Sequence, residues 1–177
     1  VVNGEIHHGA SDAAGEFGHM TIDSTGRKCK CGNYGCLEAY ASGPNIAARA
    51  VEGIEKGAPS ILVDLVRGRL EEITAATVYE AVVLGDAYAG EVMAETARFL
   101  GVGIANLINA LNPDAVVIAG GVTRAGDHLF VPLQKEIRRR AFRSAVQACR
   151  IVPAALPETA GVIGAAAVFK KETLGYL

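Results

Sequence analysis

The stretch A14-G-E-F-G-H19, followed nine residues later by C29-K-C-G-N-Y-G-C36-L-E38, decides how this chain is interpreted. Four of its side chains have the spacing of a closed tetrahedral zinc site of the Cys3His type: His19, Cys29, Cys31 and Cys36. Gly32 and Gly35 allow tight turns between the thiolates, because glycine reaches backbone angles that other residues avoid. The stretch therefore predicts a structural zinc ion.

The same cysteines have two other interpretations, as buried apolar side chains or as a disulfide pair. A disulfide between Cys29 and Cys31 is sterically awkward, and a histidine near three clustered cysteines favours a metal. The fourth cysteine, Cys149, stands alone and is most simply a packing residue. Glu16 and Glu38 flank the cluster but would overload a three-thiolate site with negative charge, so we expect them to have another function beside the metal.

Composition limits the classes of function. With 177 residues and a net charge of −2, the chain has the length of one domain and no electrostatic case for binding nucleic acid or an anionic membrane. Arg138–Arg140, with Arg143 and Arg150, form a basic cluster that we interpret as the solvated C-terminal end of a helix. No stretch approaches the ~20 apolar residues that span a bilayer. Metal-bound thiolates suit a reducing compartment, so the prediction is cytoplasmic.

Helical and strand patterns alternate in the second half of the chain and predict an α/β fold with crossover connections. Ser42, Thr74 and Asp86 are predicted N-caps, and Asn112-Pro113 is a predicted stop. In chain order, the predicted elements are a hairpin at 1–6, a loop region at 10–38, helices at 44–56, 61–67, 77–84 and 86–111, a strand at 115–119, a helix at 129–143, a strand at 148–152 and a helix at 161–173. The strand at 115–119 reads as buried on both faces, as in a parallel sheet.

The motif from Glu16 to Glu38 resembles the signature of the ROK family (repressor, open reading frame, kinase), which comprises bacterial glucokinase-like sugar kinases and sugar-responsive repressors. The resemblance continues in E38-A-Y-A-S-G-P44, G103–V122 and E158–A166, so it covers nearly the whole chain. It implies one lobe of the actin-like ATPase (ribonuclease H-like) fold, with a zinc-organised loop.

The resemblance also implies the roles of individual residues. Glu16, His19 and Glu38 would contact the sugar, with one nitrogen of His19 on zinc and the other on a sugar hydroxyl. Gly120-Gly121 would belong to the adenosine-binding segment, with ATP and Mg²⁺ used by the full enzyme. The alternatives are solvated carboxylates for Glu16 and Glu38, and a simple strand-to-helix turn for the two glycines.

The functional expectation is the C-terminal lobe, residues 1–177, of an ATP-dependent hexose kinase, in particular a glucokinase that phosphorylates the 6-hydroxyl of glucose. The family's kinases carry an Asp-x-Gly-Thr phosphate loop and an Asn-Asp pair whose aspartate is the base. The chain contains neither motif. We therefore expect no catalytic residue within it, an absent N-terminal lobe, and no activity by itself. The resemblance implies a homo-oligomer, a dimer or a tetramer.

Two other functions fit the same residues. One is the effector-binding lobe of a sugar-responsive repressor of the same family, and the other is a free-standing zinc-stabilised sugar-binding module. The segments G57–S60 and I73–A87 look more like the glucokinases than the repressors. ATP and polyphosphate are both compatible with the sequence as phosphoryl donor.

Overall fold

Helices dominate the computed structural model of this chain, which describes residues 1–156 and 159–175. Glu158, where the last segment of the family resemblance begins, lies outside the described residues. The helices are α1 (Glu38–Ala41), α2 (Gly43–Glu55), α3 (Leu62–Leu65), α4 (Ala75–Val83), α5 (Ala87–Leu111), α6 (Asp127–Arg140), α7 (Arg143–Ala148) and α8 (Ala160–Leu174), and the strands are β1 (Ala115–Ile118) and β2 (Arg150–Pro153). Three short 3₁₀ helices lie at Phe17–His19, Leu70–Glu72 and Gly121–Ala125.

The predicted helix ends are confirmed where a side chain or a backbone angle sets them. Thr74 caps α4 by accepting from the amide of Thr77 at 3.1 Å. Asp86 caps α5 by accepting from the amide of Ala89 at 2.6 Å. Asn112 ends α5 in the left-handed conformation, with φ of 44°. These ends follow from local chemistry, which is why the sequence predicts them.

The helix predicted at 129–143 is confirmed as α6, which ends at Arg140, whereas the short helix α7 that begins at Arg143 was not predicted. Ala141 is extended, with ψ of 156°, and separates α6 from α7. The amide of Phe142 donates to the Asn109 side chain of α5 at 2.9 Å, so the break is held by a contact from another helix. Neither Ala141 nor Phe142 disfavours a helix strongly, and the local pattern therefore carried no signal for the break.

The two strands pair in parallel, in the register from Ala115 opposite Arg150 to Ile118 opposite Pro153, and α6 and α7 form the crossover between them. This confirms the predicted parallel arrangement. The predicted burial of β1 on both faces is wrong, since Val117 is 61% exposed. The predicted hairpin at 1–6 is reduced to one antiparallel bridge between Val2 and Glu5.

The main core lies between α5 and the helices packed against it, α2, α4 and α6. Its fully buried side chains include Ile46, Leu62, Met93, Ile108, Leu129, Leu133 and Ile137. One charged side chain is buried with them: Arg49 of α2 donates to Glu95 at 3.1 Å and to Thr96, both on α5. Within the described part of the chain, every helix is too short or too polar to cross a membrane.

Candidate functional site

Residues 16–37, called here the Cys/His loop, contain the 3₁₀ helix at Phe17–His19 and otherwise fold back on themselves through single backbone hydrogen bonds. The amide of Cys29 donates to the Asn33 carbonyl at 2.8 Å, and the amide of Gly35 donates to the Arg27 carbonyl at 2.7 Å. Further along, the amide of Leu37 donates to the Met20 carbonyl at 2.9 Å. These bonds bring two segments that are distant in sequence side by side.

The fold of the loop gathers the four predicted metal ligands. One ligand atom from each of His19, Cys29, Cys31 and Cys36 lies within 4.8 Å of all the others. The Sγ atoms of Cys31 and Cys36 are 3.7 Å apart, and Cys29 Sγ lies 3.8 Å from His19 Nδ1. A tetrahedron with metal–sulfur bonds of about 2.3 Å has edges of about 3.8 Å. The spacing therefore fits a tetrahedral ion, while its identity as zinc stays a prediction.

The disulfide alternative does not describe this cluster. All four cysteines lie in described segments and all are free thiols. The 3.7 Å between Cys31 and Cys36 is far longer than the ~2.05 Å of a disulfide bond. The buried-hydrophobe alternative fits Cys29 and Cys36, which are 4% and 0% exposed, but not Cys31, which is exposed.

The electrostatics of the cluster suit a cation. Burial raises the pKa of Cys36 to about 12, whereas a backbone hydrogen bond involving Asn33 lowers the pKa of Cys31. Without a compensating charge, Cys36 is a neutral thiol at neutral pH. A divalent metal reverses this, since a coordinating thiol is deprotonated outright. The four side chains could thus hold a thiophilic divalent ion.

His19 connects this cluster to the two predicted sugar carboxylates. Its Nδ1 faces Cys29, whereas its Nε2 lies 3.9 Å from Glu38 Oε2. The hydrogen bond with Cys29 raises the pKa of His19, and the negative charges of Glu38 and Glu16 act in the same direction. Glu16 directly precedes the 3₁₀ helix that carries His19, and Glu38 begins α1. The structure therefore brings Glu16, His19 and Glu38 together, while their contact with a sugar stays a prediction.

Sequence reasoning missed the residue that ties the loop to the helices. The Tyr40 hydroxyl accepts from the backbone amide of Arg27 at 2.8 Å and donates to Asp23 Oδ2 at 3.3 Å. Its ring lies 4.1 Å from the Phe99 ring of α5. Arg27 also pairs with Glu52 of α2, with Nη1 2.8 Å from Oε2. Tyr40 stands in the segment that carries the family resemblance, but these long-range partners left no local signal.

The predicted nucleotide glycines lie where β1 ends. Gly120 has φ of 93°, a conformation that favours glycine, and its carbonyl accepts from the Thr123 hydroxyl at 2.8 Å. A side chain added at Gly120 or Gly121 would meet no atom within 4 Å, so the backbone is open on that side. This geometry suits both a strand-to-helix turn and a nucleotide approaching the backbone, and the nucleotide role stays a prediction.

Comparison with known proteins gives one consistent family. The model of the ROK family matches residues 1–172. The glucokinase of Halalkalibacterium halodurans is 40% identical over 173 residues, which are 97% of this chain and 52% of that protein. The N-acetylglucosamine repressor of Escherichia coli O6:H1 is 33% identical over 98% of this chain and 41% of its own length.

Solved structures agree with the sequence comparisons. A ROK family glucokinase from Streptomyces griseus, in complex with glucose and AMPPNP, matches with a TM-score of 0.81 and 30% identity, over 93% of this chain and 54% of that one. The ROK hexokinase from Thermus thermophilus matches with a TM-score of 0.73 and 29% identity, over 93% and 51%. These neighbours are sugar kinases, which supports the predicted α/β kinase fold. The chain spans about half the length of these kinase relatives.

Proposed function

The chain belongs to the ROK family, and from that premise we propose that it is the C-terminal sugar- and nucleotide-binding lobe of an ATP-dependent hexose kinase, with glucose as the hexose. The observation that carries the proposal is the joint placement of Glu16, His19 and Glu38 beside a four-ligand metal cluster. One glucokinase is 40% identical to the chain, whereas another glucokinase and the N-acetylglucosamine repressor are each 33% identical, so identity supports a kinase only through the first.

Glu38 and His19 can orient one sugar hydroxyl between them. The 3.9 Å between His19 Nε2 and Glu38 Oε2 is too long for a direct hydrogen bond. A hydroxyl oxygen about 2.8 Å from both atoms fits the gap. With Nδ1 directed at the metal cluster, Nε2 carries the proton and donates to the hydroxyl oxygen, while Glu38 accepts the hydroxyl hydrogen. Glu16 supplies a second acceptor for a neighbouring hydroxyl.

The metal has a structural role in this proposal. His19 Nδ1 and the three thiolates fill four positions, so a tetrahedral ion has no open position for substrate. When bound, zinc supplies a fixed anchor for the Cys/His loop and for the orientation of the His19 ring. The chain's own side chains then hold the sugar in place. Positioning of the acceptor hydroxyl is what phosphoryl transfer mainly requires.

The remaining parts of the reaction are assigned to other segments. We place the nucleotide at the open backbone of Gly120 and Gly121, with ATP as donor. The catalytic base and the phosphate loop are proposed to lie in a lobe that corresponds to the part of the kinase relatives that this chain does not match. The chain of residues 1–177 alone should then show no ATP-dependent hexose phosphorylation above background.

Substituting the two carboxylates tests the sugar site. In the full-length protein, Glu16→Gln and Glu38→Gln should each weaken glucose binding by about one to two orders of magnitude, because each removes a hydrogen bond to a charged acceptor. Calorimetry measures the affinity, and metal analysis should show unchanged zinc content. Glu71→Gln, on an exposed carboxylate remote in sequence, serves as the matched control. If both site variants bind glucose with unchanged affinity, Glu16 and Glu38 are solvated surface carboxylates and do not contact the sugar.

Metal analysis tests the cluster itself. One zinc ion per chain is expected in protein purified with its thiols reduced, and Cys31→Ser should lose it and lower the melting temperature. Cys149→Ser, outside the cluster, should keep the metal. Absence of zinc from both the wild type and the Cys149→Ser variant would contradict the proposal.

The second candidate is the effector lobe of a sugar-responsive repressor, which the 33% identity to the N-acetylglucosamine repressor supports. A coupled phosphorylation assay on the full-length protein separates the two. Turnover of glucose with ATP supports the kinase. Glucose binding without turnover, together with operator binding that sugar relieves, would support the repressor.

A further inference from the structure

The basic cluster predicted as a solvated helix end contains two different kinds of arginine. Arg139 and Arg140 both donate to Glu136 of the same helix, with Arg139 Nη2 2.9 Å from Glu136 Oε1. The hydrogen bond from Arg139, reinforced by Arg140, keeps the pKa of Glu136 below its usual range. These two guanidinium groups share a carboxylate that neutralises part of their charge.

Among the side chains that the structure describes, no carboxylate pairs with Arg138 or Arg143. Residues two apart on a helix point to nearly opposite sides, so Arg138 faces away from Glu136. Its hydrogen bond goes to the neutral Gln134 amide at 3.4 Å. Arg143 begins α7, and its neighbours at helical spacing within that helix are a valine and a glutamine. Across residues 1–156 and 159–175, the structure shows no ion pair from Arg138 or Arg143 to a carboxylate.

The same two arginines line an open depression of about 490 Å³ together with Val146 and Gln147. The depression lies where the break at Ala141 separates the two helices. Helix α6 supplies Arg138, and α7 supplies the other three residues. The volume falls within the range of pockets that hold small molecules. No residue of this depression belongs to the metal cluster or to the predicted sugar and nucleotide sites.

We propose that this depression between α6 and α7 is a binding site for a phosphate group, either free inorganic phosphate or the phosphate of a small monoester. Each guanidinium presents a planar fork of N–H donors that matches two phosphate oxygens. A carboxylate is satisfied by one fork, whereas the three terminal oxygens of a monoester can accept from two. The Gln147 amide adds a neutral donor, and Val146 offers an apolar contact to the body of a monoester.

Titration of the purified chain with inorganic phosphate and with glycerol 3-phosphate, in a buffer free of phosphate and sulfate, tests the proposal. Calorimetry or ³¹P NMR should detect saturable binding that weakens at higher ionic strength. Tighter binding of glycerol 3-phosphate identifies a monoester site, and equal or tighter binding of phosphate identifies a free-phosphate site. The double variant Arg138→Gln/Arg143→Gln should weaken either ligand at least about tenfold.

The matched control is Arg139→Gln/Arg140→Gln, which removes the same charge from the same end of α6 and also frees Glu136. It lowers the general positive field at least as much, yet should leave affinity within about twofold if the depression is the site. All four arginines are exposed, so both variants should keep the wild-type circular dichroism spectrum. Absence of saturable binding in the wild type, or equal loss in the two double variants, would overturn the proposal.

Discussion

In the main core, α5 packs against α2, α4 and α6 through apolar side chains that are completely buried. The Cys/His loop, in contrast, packs around a small second cluster of buried residues: Cys29, Cys36, Ala39 and Tyr40. Two of these four are metal-ligand candidates, and a third acts through its hydroxyl. The loop is held by backbone hydrogen bonds, by the Tyr40 hydroxyl and by convergence of the four ligands.

This difference implies that the two regions respond to different perturbations. Burial of apolar area stabilises the helices whether or not a metal is present. The loop gains little from apolar burial, so ion binding would contribute a large share of its stability. Chelation should therefore unfold the loop before the helices. The four predictions below test this contrast, from the largest expected effect to the smallest.

The largest effect is expected in the helical core. Leu133→Ala on α6 removes a fully buried side chain and should lower the free energy of unfolding by about 2–5 kcal/mol. Urea denaturation measures the change. Val131→Ala on the same helix, where the side chain is 63% exposed, should change stability by less than about 0.5 kcal/mol. Similar losses in both variants would mean that α6 is not anchored through Leu133.

The next largest loss of stability is expected from substituting a glycine of the Cys/His loop, and it should be confined to that loop. Gly35 has φ of 69°, and a Cβ there would overlap the Asp23 carbonyl oxygen. Gly35→Ala combines the left-handed penalty with this overlap and should cost at least about 2 kcal/mol. Because Gly35 directly precedes Cys36, the variant should also lose metal affinity. Metal analysis and thermal melts measure the two consequences.

Gly32→Ala separates the two causes. Gly32 also has a positive φ, of 95°, but an added Cβ there meets no atom within 4 Å. Its cost should be limited to the left-handed penalty, about 1–2 kcal/mol. Equal loss of metal in Gly32→Ala and Gly35→Ala would show that the left-handed backbone conformation alone, and not the close contact with Asp23, makes glycine necessary for the metal-binding shape of the loop.

Much of this contrast could be predicted from sequence, because its signals are local. Thr74, Asp86 and Asn112 set helix ends through their own side chains or backbone angles, and the parallel strands follow from the apolar run and its crossover. The convergence of His19, Cys29, Cys31 and Cys36 was predictable for a different reason. Three cysteines and a histidine at this spacing are typical of a metal site.

The failures share a cause, which is dependence on distant partners. The break at Ala141 is held by Asn109, which belongs to another helix. The exposure of Val117 depends on which elements pack against β1 in the folded chain. Tyr40 binds Arg27 and Asp23, which lie 13 and 17 residues earlier in the chain. No pattern of period two or 3.6 contains such information.

The Tyr40 hydroxyl should have an intermediate effect. Tyr40→Phe keeps the ring against Phe99 but leaves the Arg27 amide without its side-chain acceptor, and should cost about 1–2 kcal/mol. Hydrogen exchange should increase mainly within the Cys/His loop. Tyr34→Phe, on a ring that is 51% exposed, should leave exchange unchanged. Faster exchange across α5 as well would contradict the separation of the two regions.

The smallest effect is expected at the ion pair between Arg27 of the loop and Glu52 of α2. Hydrogen bonds from Arg27 hold the pKa of Glu52 below its usual range. A carboxyl whose pKa is lower in the folded state stabilises the fold above its unfolded pKa, about 4.3, and loses this contribution as the pH falls through the folded pKa. Both side chains are partly exposed, so the pair should contribute less than about 1 kcal/mol.

Comparison of the wild type with Glu52→Gln isolates this contribution from other groups that titrate in acid. The wild type should exceed the variant in unfolding free energy at neutral pH, and the difference should shrink below about pH 4. Glu55→Gln is the matched control on the same helix, since Glu55 is exposed and makes no ion pair with any described residue. A wild-type advantage over Glu52→Gln that grows on acidification would reverse the expected sign. The pair would then not be the link that holds the Cys/His loop against α2.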